Sequence, residues 1–328
     1  MYHFYLFEAS MVNSNIPTID LSSFFNEGNE DCKKEVIDII SHACSEYGFF
    51  QIVNHGVPPS LMTRALEVSK MFFEYPLEEK LKSSPTPDAP LPTGYSVQPE
   101  HSADKNEYLL MFPPGSSFNV FPDQPAELRK VMEDIFSHFS KAALLVETIL
   151  NDCLGLPPKF LQEYNKDRSW DFMAVLRYLP GAINKENNNI GLTEHQDGNC
   201  ITFVLQDEIG GLEVLKNGEW IPVVPTEGSL IVNLGDVIQV LSNNKFKSAT
   251  HRVMRQEGKF RHSYVFFNTI EGNKWVEPLP NFIKETGKPA QYRGFFYKDY
   301  QQMRIRNKTH PPSRPEDVVD ITHYAIDC

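Results

Sequence analysis

Between residues 31 and 43, apolar side chains at Val36, Ile39, Ile40 and Ala43 recur three and four positions apart, which predicts a helix with one buried face. "GFFQIVNHGVP", Gly48 to Pro58, is a continuous apolar run closed by turn residues and predicts a buried strand followed by a turn. A second helix is expected from Pro59 to about Phe73, through Leu61, Met62, Ala65, Leu66 and Met71; proline suits its first position, and Pro76 lies just beyond its end. The Pro-rich "KSSPTPDAPLPTGYS" predicts a loop. The strongest helical stripe runs from Ala126 to Leu154, with Leu128, Val131, Met132, Ile135, Phe136, Phe139, Ala143, Val146, Ile149 and Leu150 on one side.

After about Asp171 the period changes. "FMAVLRYL", "ITFVLQD", "GLEVL", "EWIPVVP", "SLIVNLGDVIQVL" and "RHSYVFFNT" are short runs rich in Val, Ile, Phe and Tyr, parted by Gly, Asn and Pro. They predict an antiparallel barrel or sandwich rather than a Rossmann sheet. From about Pro289 the pattern is helical again, through Tyr300 to Arg306. The chain therefore divides into an expected disordered extension at 1–10, a mostly helical region at 11–165, a β core at 166–275 and a helical C-terminal segment at 276–328. These are expected to pack as one unit, since no fixed-period repeat points to a solenoid or propeller.

Composition narrows the partners. The 328 residues are 41% hydrophobic, which suits a globule with a sizeable core. With 43 acidic against 31 basic residues the net charge is −12, and no Lys/Arg run interrupts it, so nucleic acid and anionic membranes are poor partners and a small molecule is the better one. "MYHFYLFEAS" at the start has no Lys or Arg and is broken by His3 and Glu8, unlike a signal peptide. No apolar run approaches the roughly 20 residues that span a bilayer. Cys32, Cys44, Cys153, Cys200 and Cys328 are odd in number and form no Cys-x-x-Cys, which predicts reduced thiols in a cytoplasmic protein. A monomer is expected.

The candidate chemistry begins in "GLTEHQDGNC". His195 and Asp197 stand two apart, so on a strand an imidazole and a carboxylate share one face. By itself such a pair reads more readily as a solvated strand end. A second histidine in a β context, His251 in "SATHRV", changes this: two His and one carboxylate form the facial triad of non-haem Fe(II) oxygenases, which leaves positions open for co-substrate and oxygen. The same donors fit catalytic zinc. Iron is favoured by Arg261 and Ser263, alternate residues of one later strand, because a buried guanidinium beside a hydroxyl can grip one end of a dicarboxylate whose other end chelates the metal.

In order and spacing, "IPTIDLS", "YGFFQIVNHGVP", "FFEYPLEEKLK", "GYS", "LTEHQDGNCITFVLQD", "GGLEV", "NGEWIPVVP", "GSLIVNLGDVIQVLSNNKFKSATHRV" and the Arg-x-Ser strand together resemble the plant branch of the 2-oxoglutarate- and Fe(II)-dependent dioxygenases, that of flavonol synthase, anthocyanidin synthase and the gibberellin and alkaloid hydroxylases. The resemblance covers nearly the whole chain from about Ile16. It implies a mainly β fold with flanking helices, a distorted double-stranded β-helix or jelly roll of the isopenicillin N synthase type, with residues 276–328 covering the pocket. It also implies Fe(II) on His195, Asp197 and His251, and 2-oxoglutarate on Arg261 and Ser263 with Tyr178 nearby. Oxygen is then the co-substrate, ascorbate the reductant, and succinate and carbon dioxide are released as a small lipophilic plant metabolite is hydroxylated, desaturated or cyclised. Phe267 falls where relatives often set a ring against their substrate.

One departure stands out. The family usually carries two adjacent tyrosines before a proline, the second of which helps hold 2-oxoglutarate; here the stretch reads "RYLPG", with Tyr178 followed by Leu179. This predicts altered co-substrate affinity rather than a different co-substrate. Iron halogenases of this fold lack the carboxylate ligand, so Asp197 disfavours halogenation. A non-catalytic binding protein on the same fold and a zinc hydrolase remain as alternatives, separable by whether succinate forms. His55 in "NHG" is read as a structural residue, and His262 should point away from the face shared by Arg261 and Ser263. No Gly-x-Gly-x-x-Gly follows a strand, so nucleotide binding is unsupported.

Overall fold

Alternation of side chains along strands buried on both faces gives this molecule two interiors. The computed structural model describes residues 16–26, 28–85, 92–182, 189–309 and 318–326, so the extension expected at 1–10 lies outside the described residues. The chain enters at β1 (Thr18–Asp20) and runs through α1 (Glu30–Glu46), β2 (Phe49–Val53), α2 (Pro59–Glu74), α3 (Leu77–Leu81), β3 (Gly94–Val97), β4 (Asn106–Met111), α4 (Leu128–Cys153) and α5 (Phe160–Tyr164). It continues as β5 (Phe172–Tyr178), β6 (Ile190–His195), β7 (Ile201–Gln206), β8 (Leu212–Lys216), β9 (Glu219–Pro222), β10 (Leu230–Leu234), α6 (Asp236–Leu241), β11 (His251–Met254) and β12 (Arg261–Asn268). It closes with β13 (Trp275–Val276), α7 (Pro280–Thr286), β14 (Phe295–Phe296) and α8 (Tyr297–Thr309).

Eight strands in the order β1-β2-β10-β7-β12-β5-β4-β3 form the main sheet, and β6-β11-β8-β9 form a second one. Only β1 and β2 pair in parallel in these two sheets; the other ladders are antiparallel, which gives the double-stranded β-helix core. The N-terminal strands β1 to β4 extend the same sheet that β5, β7, β10 and β12 build.

β12 shows how the two interiors arise. Its Tyr264 and Phe266 face the helices: the Tyr264 hydroxyl donates to the Ala65 carbonyl of α2 at 2.8 Å, and Phe266 meets Phe136 and Phe139 of α4 edge-on at 5.0 and 6.0 Å. Arg261, Ser263, Val265 and Phe267, the alternate residues, face the second sheet. The larger core, between helices and main sheet, takes the apolar stripe of α4 with Met173, Val175, Phe203 and Phe266; the smaller, between the sheets, takes Ala174, Leu176, Tyr178, Val204, Leu212, Val214 and Val253. Strands buried on both sides read as unbroken apolar runs, which is why "RHSYVFFNT" hides its period of two.

The helices at 30–46, 59–74 and 128–153 lie where the periodicity puts them, the first extending one residue before and three residues past its apolar spacing. Other segments differ. "SLIVNLGDVIQVL" divides at Gly235 into a strand and a helix, because a continuous apolar run satisfies either period and only Gly235, the N-cap of the helix, separates them. "KSSPTPDAPLPTGYS" ends in β3, where Gly94 to Val97 pair with β4. The C-terminal helix begins at Tyr297, after Phe295 and Phe296 have paired with Val276 and Trp275.

Candidate metal and co-substrate site

His195 closes β6 and His251 opens β11, and the ladder between these antiparallel strands sets the two residues directly opposite each other, with ring centroids 4.3 Å apart. Asp197 follows past the end of β6, on a turn rather than on the strand, and its carboxylate swings between the two rings. Asp197 Oδ1 lies 3.6 Å from His195 Nε2 and 3.9 Å from His251 Nε2. These separations are too long for hydrogen bonds, yet one donor atom from each residue lies within 4.8 Å of the others, so one ion can touch all three.

The atoms turned away from that centre are engaged elsewhere. His195 Nδ1 lies 2.8 Å from the Thr193 carbonyl and His251 Nδ1 3.0 Å from the Ala249 carbonyl, so with Nδ1 as donor each Nε2 is left as the metal-facing lone pair. Asp197 Oδ2 accepts from Thr202 Oγ1 at 2.7 Å and Asn233 Nδ2 at 2.8 Å, which leaves Oδ1 for the ion. Burial pushes the Asp197 carboxyl up, but His251 and His195, with the bonds from Asn233 and Thr202, outweigh it and hold the group below the usual carboxylate range. It is therefore charged at neutral pH. The donor set fits a divalent cation that takes imidazole and carboxylate.

The turn that carries Asp197 has its own scaffold. Its carbonyls are met by three consecutive amides at the start of α6: Asp236 N to Asp197 O at 2.8 Å, Val237 N to Asn199 O at 3.2 Å and Gly235 N to Cys200 O at 2.8 Å. A Cβ at Gly235 would stand 2.1 Å from the Asn199 carbonyl oxygen, so only glycine lets the two segments come this close.

The second cluster lies at the start of β12. Arg261 is 2% exposed and Ser263 fully buried; Arg261 Nη1 donates to Ser263 Oγ at 3.3 Å and Nη2 to Gln206 Oε1 at 2.9 Å. No carboxylate pairs with this guanidinium among the described residues, and Arg261 Nε and Gln206 Nε2 are buried donors without partners. Such orphans fit an incoming anion. Tyr178 is opposite Arg261 in the β5–β12 register, its ring 4.9 Å from the guanidinium carbon. Burial raises its hydroxyl above the ordinary value against the pull of Arg261 and Ser263. Leu179 lies past the end of β5 and is exposed. The strand thus puts the first residue of "YL", not the second, beside the guanidinium.

The other sequence candidates separate cleanly. Phe267 is directly across from Thr202, the residue bonded to Asp197, and stacks on Phe172 at 4.5 Å. His262 is on the opposite face, 3.2 Å from Asp207 Oδ2 and beside Phe73 of α2. His55 is buried and is not among the candidate metal donors, with Nε2 3.1 Å from the Gly228 carbonyl and Nδ1 accepting from Val57 N. Sequence reasoning missed Thr202, Asn233 and Gln206. Each is a polar residue inside an otherwise apolar strand run, and a buried polar group of that kind needs a partner worth looking for.

A family model described as the 2OG-Fe(II) oxygenase superfamily matches residues 170–270, and one described as non-haem dioxygenase in morphine synthesis N-terminal matches residues 16–130. Jasmonate-induced oxygenase 1 of Arabidopsis thaliana is 36% identical over 301 residues, covering 88% of this chain and 74% of that protein. Flavonol synthase/flavanone 3-hydroxylase of Matthiola incana is 31% identical over 299 residues, 88% of this chain and 97% of that one. Among solved structures, JOX2 in complex with 2OG, Fe, and JA superposes with a TM-score of 0.77 at 30% identity, covering 88% of this chain and 84% of that chain. The chain belongs to the 2OG-Fe(II) oxygenase superfamily. Within it, this is a plant-type 2-oxoglutarate-dependent dioxygenase, an enzyme that uses Fe(II) and 2-oxoglutarate. Among the described residues no helix is long and apolar enough to cross a membrane.

Proposed function

We propose that this dioxygenase hydroxylates a small lipophilic plant metabolite, or desaturates or cyclises it, with succinate and carbon dioxide as by-products. The observation that carries the reading is the pairing of two half-satisfied clusters carried by the two facing sheets: three convergent metal donors, and a buried guanidinium with an unpartnered Nε. His195, Asp197 and His251 hold Fe(II), and bound iron supplies the oxidising chemistry together with oxygen and 2-oxoglutarate, ascorbate keeping the metal reduced. Arg261 and Ser263 take the far carboxylate of 2-oxoglutarate. Tyr178 fixes the guanidinium plane from below, a role that makes the missing second tyrosine at Leu179 tolerable.

The protein's own share is orientation and exclusion of water. Thr202 and Asn233 hold Asp197 with one oxygen turned to the ion. Phe267 begins a row of rings: it stacks on Phe172, which lies edge-on to Phe112 at 6.5 Å, and Phe112 in turn meets Phe118 at 5.9 Å and Trp170 at 6.4 Å. Phe118 and Trp170 are each 39% exposed, so the row runs from the neighbour of a metal ligand to the surface. Such a lining selects flat, apolar compounds. We assign the described residues of the C-terminal segment 276–328 to the cover of the substrate site. Relatives named for flavanones and a neighbour solved with JA support a small lipophilic substrate. The four cysteines among the described residues are free thiols, which supports a cytosolic site of action, and a monomer is the state we assign.

The test is succinate release from the purified chain with Fe(II), ascorbate and 2-oxoglutarate across a panel of flavonoids, terpenoids, alkaloids and hormones. Succinate with one compound, and an oxidised product of that compound, is expected; release that needs no oxygen overturns the reading. Arg261→Ala should raise the KM for 2-oxoglutarate on the order of 10- to 100-fold, the worth of a charge-assisted bond. An unchanged KM removes Arg261 from the clamp.

A further inference from the structure

The carbonyl of Gln196, the residue between two of the proposed ligands, is met by a side chain from far along the sequence. Arg304 of α8 donates to it through Nη2. The same guanidinium turns Nη1 to Asp236 Oδ2 at 3.4 Å and to the Tyr300 hydroxyl at 3.1 Å, and that hydroxyl donates to Asp236 Oδ2. Asp236 is 0% exposed, Arg304 forms its salt bridge, and its backbone amide holds the Asp197 carbonyl. A Cβ on Gly198 would stand 3.4 Å from the Tyr300 ring and 3.8 Å from Arg304 Cγ, so both side chains lie over the turn itself.

We propose that Arg304 is a positioning residue for the metal site: by bridging Gln196 and Asp236 it fixes the His195–Asp197 turn and couples the docking of α8 to metal affinity. The physical need is specific. β6 ends at His195, so the backbone of Gln196 and Asp197 is outside any strand ladder and must be held by other groups. Three carbonyls of the turn are held by amides at the start of α6, and the Gln196 carbonyl is held by Arg304. A guanidinium can serve two acceptors at fixed angle, whereas a lysine ammonium at the end of its stem serves as a point charge. Groups that orient metal ligands from behind change metal affinity by about 10- to 100-fold.

The inference rests on the metal assignment proposed above, and the experiment separates the two. Metal-free full-length chain is titrated with Co(II), followed by its d–d absorption, for wild type, His195→Ala, Arg304→Met and Arg304→Lys. His195→Ala should lose the Co(II) d–d absorption seen with wild type; if it binds Co(II) as wild type does, the metal assignment itself fails. With that control behaving, Arg304→Met should weaken Co(II) binding about 10- to 100-fold, and Arg304→Lys should recover part of the loss because it still neutralises Asp236. Should Arg304→Met not fold, Arg304→Met with Asp236→Asn removes the stranded carboxylate, and the same loss of affinity is expected. Co(II) affinity within twofold of wild type in the folded variant overturns the proposal, as does a raised substrate KM with unchanged Co(II) affinity, which would make Arg304 a substrate contact.

Discussion

The two faces of β12 are one strand under two sets of demands. On the outer face Tyr264 and Phe266 fill volume against α2 and α4, and the Tyr264 hydroxyl has its partner in the Ala65 carbonyl. On the inner face Arg261 keeps a buried Nε without a partner, and its neighbour Gln206 keeps a buried amide nitrogen in the same state. Each such orphan costs about 1–3 kcal/mol. The apolar outer core offsets that cost, so stability is made on one side of the sheet and kept in reserve for ligands on the other.

The sharpest way to break this division is at its extremes. His251→Ala removes one of the proposed metal donors and should bring substrate-dependent succinate to background, while the unfolding free energy of the metal-free chain changes little; urea unfolding beside the turnover assay reads both. Phe266→Ala does the reverse. The lost ring leaves a cavity between the main sheet and α4, and stability should fall by about 3–5 kcal/mol with the KM for 2-oxoglutarate unchanged in the folded fraction. A Phe266 variant that kept its stability and lost turnover would mean that the outer face also carries chemistry.

The sequence displayed these faces unequally. The stripe of α4 is legible because a helix with one wet side repeats at 3.6, and Leu128 to Leu150 show it. The strands are not, because both sides are buried and the alternation carries no contrast of polarity. His195, Asp197 and His251 could be found from residue type and spacing, yet the picture of His195 and Asp197 on one strand face gave way to a strand residue and a turn residue. Thr202 and Asn233 are noticeable only as polar letters in apolar runs. Arg304 had no sequence signal at all, since its partners are a backbone carbonyl and a carboxylate more than sixty residues upstream, joined only by tertiary packing.

The outer side also has an exception that tests the comparison. Asp171, just before β5, is buried near Arg168 and Glu147, accepts from Thr269 N at 2.8 Å, and has its carboxyl pushed by desolvation to about 7. The folded chain then holds this proton more tightly than the unfolded one, whose carboxyl titrates near its usual value of about 4. Its contribution is therefore fully present below about pH 4 and is lost as pH rises towards 7. Asp171→Asn should remove that loss, and its advantage over wild type should grow by no more than about 1.4 kcal/mol per pH unit across the window. Unfolding free energies measured at pH 5 and pH 7 give the answer, and a difference independent of pH sinks the claim.

The smallest effect is expected from one methyl group. Gly191 of β6 lies against the Tyr178 ring: a Cβ there would be 2.9 Å from Tyr178 Cδ1, 3.1 Å from Arg255 Cγ and 3.3 Å from the Val253 carbonyl oxygen. β6 cannot simply retreat, because the Gly191 carbonyl accepts from Lys105 N at 3.0 Å and from Asn106 Nδ2 at 2.9 Å. The buried ring must give way, and the Arg261 guanidinium carbon lies 4.9 Å from its centre. Gly191→Ala should therefore raise the KM for 2-oxoglutarate by a few-fold, about 1 kcal/mol, with kcat and Co(II) affinity unchanged. If the ring transmits the effect, Gly191→Ala should add less in a Tyr178→Leu background than in wild type. Full additivity would show that Gly191 acts through the strand and not through Tyr178, and the inner face would then tolerate crowding as readily as the outer one.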